Sequence, residues 1–64
     1  MHSDVTNVFR YFAWDHLPPK LQEVSKPFGE LARQVAERAP YHAETVVALR
    51  KLLEAKDAAV RASL

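Results

Sequence analysis

The sequence predicts an all-α protein with a short N-terminal helix and two long antiparallel helices. Apolar residues recur at helical spacing in both halves of the chain, and prolines near residues 18 and 40 mark the breaks between the helical stretches. The 64 residues include one glycine and no cysteine. A chain this short forms one domain at most, so we expect a single domain spanning residues 1–64, in which short turns join the helices.

The first 17 residues are predicted to form an aromatic N-terminal arm. Asp4 is placed to cap a short helix, whose apolar face has the i, i+3, i+4, i+7 spacing. That face comprises Val5, Val8, Phe9 and Phe12. Tyr11 and Trp14 lie off this face. Pro18 and Pro19 then end the arm, because the residue before a proline avoids the helical region and proline suits a first helical turn.

The first long helix is predicted over residues 18–38. Its apolar stripe keeps one phase throughout: Leu21, Val24, Phe28, Leu31 and Val35. Pro27 lies inside the stripe, where its ring clashes with the carbonyl group of Glu23. We expect either one helix kinked near Pro27 or two helices nearly in line.

The second long helix is predicted over residues 42–62, after a turn at residues 39–41, and it carries two stripes. One is large and apolar and is interrupted by Lys56: Val46, Leu49, Leu53 and Val60. The other is mostly small: Thr45, Ala48, Leu52, Ala55, Ala59 and Ala62. A helix with two such faces contacts more than one neighbour. A core of this size rarely contributes more than ~3–5 kcal/mol to the net free energy of folding, and the chain has no cysteine for a disulfide. We therefore expect a homo-oligomer.

Composition and motifs argue against several classes of function. A net charge of +1 does not fit a protein that coats DNA, and no apolar run is long enough for a membrane span. The sequence begins without the pattern of a signal peptide, so we expect a reducing cytoplasm. His42 and Glu44 match half of a zinc deaminase signature whose other half requires cysteines. We expect no catalytic residue, no metal site and no cofactor.

Two groups of residues are candidates for binding. Tyr11 and Trp14 are free to stack on a ligand, whereas Phe9 and Phe12 fit the alternative of covering the helical hairpin. Lys26 precedes Pro27, and a helix restarting there would present N–H groups and a positive charge to a phosphate. The alternative is that Lys26 is an ordinary solvated lysine.

The order and spacing of several short motifs resemble the phage anti-CBASS type 2 family, small proteins that sequester cyclic oligonucleotide immune signals. The first half has Phe9-x-Tyr11-x-Ala13, Lys26 and Glu30-Leu31-Ala32. The second half has Pro40, Glu44, Ala48-Leu49-x-Lys51-Leu52-x-Glu54-Ala55 and Asp57-Ala58-Ala59-Val60. The resemblance covers nearly the whole chain.

The resemblance implies a specific function and assembly. Members fold as a short helix plus two long antiparallel helices, form hexamers, and bind cyclic dinucleotides such as cyclic GMP-AMP between paired subunits. Some also hold cyclic trinucleotides among three subunits. The family's pocket tyrosine and basic residue map onto Tyr11 and Lys26, and we expect Phe12 and Trp14 as further pocket walls. The implied location is the cytoplasm of an infected bacterial host.

The sequence departs from its relatives at the pocket. Phe12 and Trp14 stand where relatives commonly carry His and Pro, and Pro27 follows the pocket lysine. We expect these differences to affect base preference and pocket shape more than the fold. Two other functions remain open: a helical oligomeric protein-interaction module that uses the alanine stripe, and a small DNA-binding regulator. The latter would need a basic helix face, but Glu54 and Asp57 interleave with the basic residues of the second half.

Overall fold

The computed structural model describes residues 3–64, which form three helices. Helix α1 is Ser3–Phe9 and continues into a 3-10 turn, Arg10–Phe12. Helix α2 is Pro19–Arg38 and helix α3 is Ala43–Ala62. The predictions of an all-helical class and of one short and two long helices are confirmed.

Helix α2 begins and ends near the predicted residues. Pro18 precedes the helix and Pro19 occupies its first turn, where the missing N–H group costs nothing. The Gln22 side-chain amide donates hydrogen bonds to the carbonyl oxygens of Leu17 (2.7 Å) and Asp15 (3.2 Å), which fixes the chain leading into α2. The helix runs unbroken through Pro27, so the alternative of two separate helices is wrong.

The two long helices lie side by side and run in opposite directions. Each has 20 residues and is therefore about 30 Å long. The longest dimension of the molecule is 34 Å, and residues 39–42 are the whole connection between the helices. His42 caps α3, because its Nδ1 accepts the Glu44 N–H group at 3.0 Å, and the Thr45 hydroxyl donates to the Pro40 carbonyl at 2.8 Å.

The core lies where α1 and the 3-10 turn cover the paired long helices. Among residues 3–64, five apolar side chains are buried: Val5, Val8, Phe12, Ala32 and Leu49. Helix α2 presents a slightly different face from the predicted one, since Ser25 and Ala32 are fully buried while Leu31 is 47% exposed. The side chains of Ser25 and Ala32 are small, so neighbouring elements can pack closely on this face of α2, and Leu31 lies on its solvent side.

The predicted small stripe of α3 divides between core and surface. Thr45 is buried, Leu52 and Ala59 are half-buried, and its remaining alanines are exposed. Lys56 does not break the apolar stripe, because its side chain is only 13% exposed and its ammonium lies 2.7 Å from the Asp57 carboxylate. One side of α3 is thus exposed and carries small or apolar residues, and we call it the small face: Val47, Ala48, Ala55, Ala58 and Ala62.

Helix α1 is tied to the turn between the long helices. The Tyr41 hydroxyl donates a hydrogen bond to Asp4 Oδ2 at 3.0 Å. This hydrogen bond raises the pKa of Tyr41, because ionisation would abolish it, and desolvation and the Asp4 charge act in the same direction. Asp4 lies inside α1 rather than before it, so the expected capping role is wrong.

Ser25 provides a test of this packing. Its hydroxyl is fully buried, and no hydrogen-bond partner for it lies among residues 3–64. We expect Ser25→Ala to raise the free energy of unfolding by about 1–2 kcal/mol, because the cost of desolvating an unpaired hydroxyl disappears. The matched control is Thr45→Val, which removes a paired hydroxyl and should lower that free energy by about 1 kcal/mol. Urea denaturation of both variants measures the difference, and a loss of stability in Ser25→Ala would contradict the packing described.

Candidate ligand-binding site

Two surface cavities flank the 3-10 turn, one on each side. The first lies between the turn and α2 and has a volume of about 530 Å³. We call it the aromatic cavity, and its lining is Phe9, Phe12, Ala13, Trp14, Gly29, Glu30, Arg33 and Gln34. This volume falls in the range of small-molecule sites, and its rim combines aromatic, acidic, basic and amide groups.

Lys26 stands beside the aromatic cavity and contacts its tryptophan. The Lys26 ammonium lies 5.2 Å from the centre of the Trp14 ring, within the range of a cation–π interaction. The same ammonium lies 3.9 Å from Glu30 Oε1, one helical turn further along α2. Lys26 is therefore more than an isolated solvated lysine, because it is held between an aromatic face and a carboxylate.

These two interactions hold Lys26 weakly. The Lys26 and Glu30 side chains are 52% and 61% exposed, and an exposed i, i+4 ion pair contributes only about 0.3–0.5 kcal/mol. The order of Lys before Glu along the helix is also the less favourable one. An incoming anion can therefore take over the ammonium at little cost.

Gly29 allows the 3-10 turn to lie close against α2. A Cβ atom on Gly29 would lie 3.3 Å from the Phe12 carbonyl oxygen and 3.4 Å from Trp14 Cδ1. The only glycine of the sequence thus lies where the backbone of the turn and the indole ring meet the helix. The role of Gly29 in the structure is therefore to seat Trp14.

The second cavity lies on the other side of the turn, between α1 and α3. It has a volume of about 520 Å³, and we call it the tyrosine cavity. Its lining is Asp4, Asn7, Val8, Arg10, Tyr11, Arg50, Leu53 and Glu54. Tyr11 is 62% exposed there, so its ring is available to a ligand or to another subunit rather than part of the core.

The four predicted site residues thus occupy different places. Tyr11 lines the tyrosine cavity, while Lys26 contacts Trp14 at the aromatic cavity, so one chain does not bring the predicted pair into a common cavity. Trp14 is half-buried and lines the aromatic cavity. Phe12 also reaches the aromatic cavity but is 97% buried, which makes it chiefly a core residue, in line with the alternative weighed from the sequence.

The expected phosphate site at a helix N-terminus is not formed. Because α2 continues through Pro27, residues 28–30 lie in the interior of a helix rather than in its first turn. Sequence reasoning also passed over Glu30, Arg33 and Gln34 as site residues. Their spacing of i, i+3 and i+4 places them on one helix face, but only the position of the 3-10 turn shows that this face borders a cavity.

Comparison of the chain with known protein families, curated proteins and solved structures finds no match. Within residues 3–64, no group of three or more His, Asp and Glu residues is placed to hold a metal ion. In the same part of the chain, none of the helices has both the length and the apolar character needed to cross a bilayer.

Substitution of Gly29 tests the seating of Trp14. We expect Gly29→Ala to displace the 3-10 turn and the indole ring by a few tenths of an ångström, because the new methyl group meets backbone and ring at 3.3–3.4 Å. Trp14 is the only tryptophan, so its fluorescence reports the change directly, and emission should shift to longer wavelength as the ring becomes more exposed. Glu37→Ala, on the same helix but lining neither cavity, is the control. Identical emission from Gly29→Ala and the native protein would refute this contact.

Proposed function

We propose that this protein binds cyclic dinucleotides such as cyclic GMP-AMP and sequesters them, so that CBASS-type antiphage effectors are not activated. The observation that carries the proposal is the Lys26 ammonium held 5.2 Å from the Trp14 ring at the edge of an open aromatic cavity. The resemblance of the sequence to the anti-CBASS type 2 family supports the same chemistry independently of this geometry.

A cyclic dinucleotide matches these groups in kind and number. It carries two bases and two phosphates in a ring with near two-fold symmetry. Stacking of a base on an aromatic side chain contributes about 1–3 kcal/mol, and a lysine–phosphate contact about 1.5–3 kcal/mol. Two copies of each contact in a desolvated pocket approach the −12 kcal/mol that corresponds to nanomolar affinity.

The separation of Tyr11 and Lys26 supports a pocket shared between subunits. Tyr11 projects from the side of the molecule that bears α3, while Lys26 belongs to the side that bears the aromatic cavity. A symmetric pair of subunits presents each residue twice, which suits a ligand with two equivalent halves. We propose that Tyr11 of one subunit and Lys26 of another complete the pocket, with Trp14 as a wall beside Lys26.

We further propose a homohexamer as the working state. The described part of the chain buries only five apolar side chains, the largest fully buried one being Leu49. The exposed small face of α3, together with Leu31, offers apolar surface for contact with other copies. Binding of cyclic trinucleotides among three subunits, which the resemblance implies for some members, belongs to the same proposal.

The proposed action is sequestration without reaction, in the cytoplasm of an infected bacterial host and without a cofactor. A second candidate is a helical protein-interaction module. It is favoured by the small face of α3, which would then dock another protein instead of a further copy of the chain.

Binding and folding measured together test the nucleotide site. We expect Lys26→Ala and Tyr11→Ala each to weaken cyclic GMP-AMP binding at least ~100-fold, because a symmetric pocket loses each contact twice and 1.4 kcal/mol is about tenfold. Both side chains are more than half exposed, so the melting temperature should change little. Lys20→Ala, at an exposed lysine that lines neither cavity, is the control for charge.

Calorimetric titration measures these affinities, and chromatography of the bound nucleotide tests sequestration. Nucleotide released from the complex by heat should elute intact in chromatography. Unchanged affinity in Lys26→Ala would show that the phosphate site is misplaced, and linear nucleotide in the eluate would indicate an enzyme instead.

Sedimentation tests the assembly. We expect the native protein to sediment as a hexamer at micromolar concentration, and Ala55→Arg to dissociate it, because a closely packed helix face cannot accept a long charged side chain. The matched variant Ala55→Ser keeps a small side chain and should remain assembled. A native protein that sediments as a folded monomer, or an Ala55→Arg hexamer, would contradict this use of the small face.

A further inference from the structure

Glu30 is an unexpected group in a cavity proposed to hold an anion. Its side chain is 61% exposed, lines the aromatic cavity and faces Lys26 at 3.9 Å. A carboxylate close to a phosphate is repulsive, and it favours binding only if it accepts hydrogen bonds from donors on the ligand. In a cyclic dinucleotide, the N–H groups of the bases are the principal donors.

We propose that Glu30 selects guanine over adenine in the ligand, an inference that rests on the proposed binding of cyclic dinucleotides. Guanine presents two adjacent donors, N1–H and the N2 amino group, which match the two oxygens of a carboxylate. The corresponding edge of adenine presents the acceptor N1 beside its amino group, so one carboxylate oxygen would face a lone pair. Glu30 is therefore a specificity-determining residue of the aromatic cavity.

The neighbours of Glu30 complete this recognition. Trp14 lines the same cavity and supplies a flat wall, which holds a stacked base with its polar edge directed toward the rim. Arg33 follows Glu30 by three residues on the same helix face and lines the cavity as well. Arginine pairs with the O6 and N7 acceptors of guanine, whereas adenine carries an amino group in place of O6. The Glu30 carboxylate and the Arg33 guanidinium, side by side on α2, thus match the N–H donors and the O6 and N7 acceptors of guanine.

The ion pair between Lys26 and Glu30 is weak enough for both groups to change partners. The two charges are 3.9 Å apart, and both side chains are more than half exposed. When a phosphate takes the Lys26 ammonium, the Glu30 carboxylate loses its partner and is free to accept the two N–H groups of guanine. The Lys26 ammonium thereby gains an anionic partner, and the Glu30 carboxylate gains two hydrogen-bond donors.

The test compares cyclic di-GMP with cyclic di-AMP by calorimetric titration. The native protein should bind cyclic di-GMP at least 10-fold more tightly. Glu30→Gln should lower this preference at least 10-fold, because a glutamine offers one acceptor and one donor where guanine needs two acceptors. Glu37→Gln makes the same change of charge on the same helix at a position that lines neither cavity, and it should leave the preference unchanged.

The outcomes separate this inference from the function on which it rests. If both nucleotides bind the native protein equally, or if Glu30→Gln changes both affinities by the same factor, the assignment of Glu30 is overturned while the proposed function stands. If the native protein binds neither of these nucleotides nor cyclic GMP-AMP, the proposed function fails and the inference fails with it. Circular dichroism of Glu30→Gln should show intact helices, because the side chain is exposed.

Discussion

The contact between the 3-10 turn and α2 at Gly29 determines most of what is distinctive in this structure. With no side chain at that position, the Phe12 carbonyl and the Trp14 ring lie directly on the helix. Phe12 can then enter the core, where its ring lies 6.1 Å from that of Phe9. Tyr11, inside the turn, lines a cavity with residues of α3. Trp14 follows the turn after the extended backbone of Ala13 and lies against α2.

This arrangement explains why the aromatic residues of the arm serve different purposes despite being nearly adjacent in sequence. Phe12 stabilises the fold, Trp14 forms a wall next to Lys26, and Tyr11 remains exposed on another surface. A cation next to an aromatic ring is a combination that suits the bases and phosphates of nucleotides. The separate location of Tyr11 is the structural observation behind the proposal of a pocket shared between two copies of the chain.

The electrostatic contacts of Lys26 at the aromatic cavity are weak enough for its ammonium to exchange one partner for another. Lys26 interacts with Trp14 and Glu30 through contacts that are individually weak and largely exposed. The ion pair neutralises two charges without burying either of them. A protein that has to capture a soluble anion benefits from this, because little is lost when the ammonium changes partners.

The sequence by itself determined the helices and their ends. Paired prolines at 18 and 19 start α2, and the residues around Pro40 separate it from α3, since these preferences act locally along the backbone. It also identified Trp14 and Lys26 as candidates, because an aromatic ring and a cation carry their chemistry wherever they lie. The face of α2 was less predictable: periodicity selected Leu31, but the close approach of other elements buried Ser25 and Ala32 instead.

Only the tertiary structure decided which of these residues meet. The resemblance paired Lys26 with Tyr11, yet within one chain Lys26 contacts Trp14, whose ring packs beside Gly29 of the same helix. Similarly, Glu30 and Arg33 line a cavity only because the 3-10 turn packs beside them on α2. The physical reason is that spacing along a helix defines a face, whereas packing against other elements decides what that face encloses.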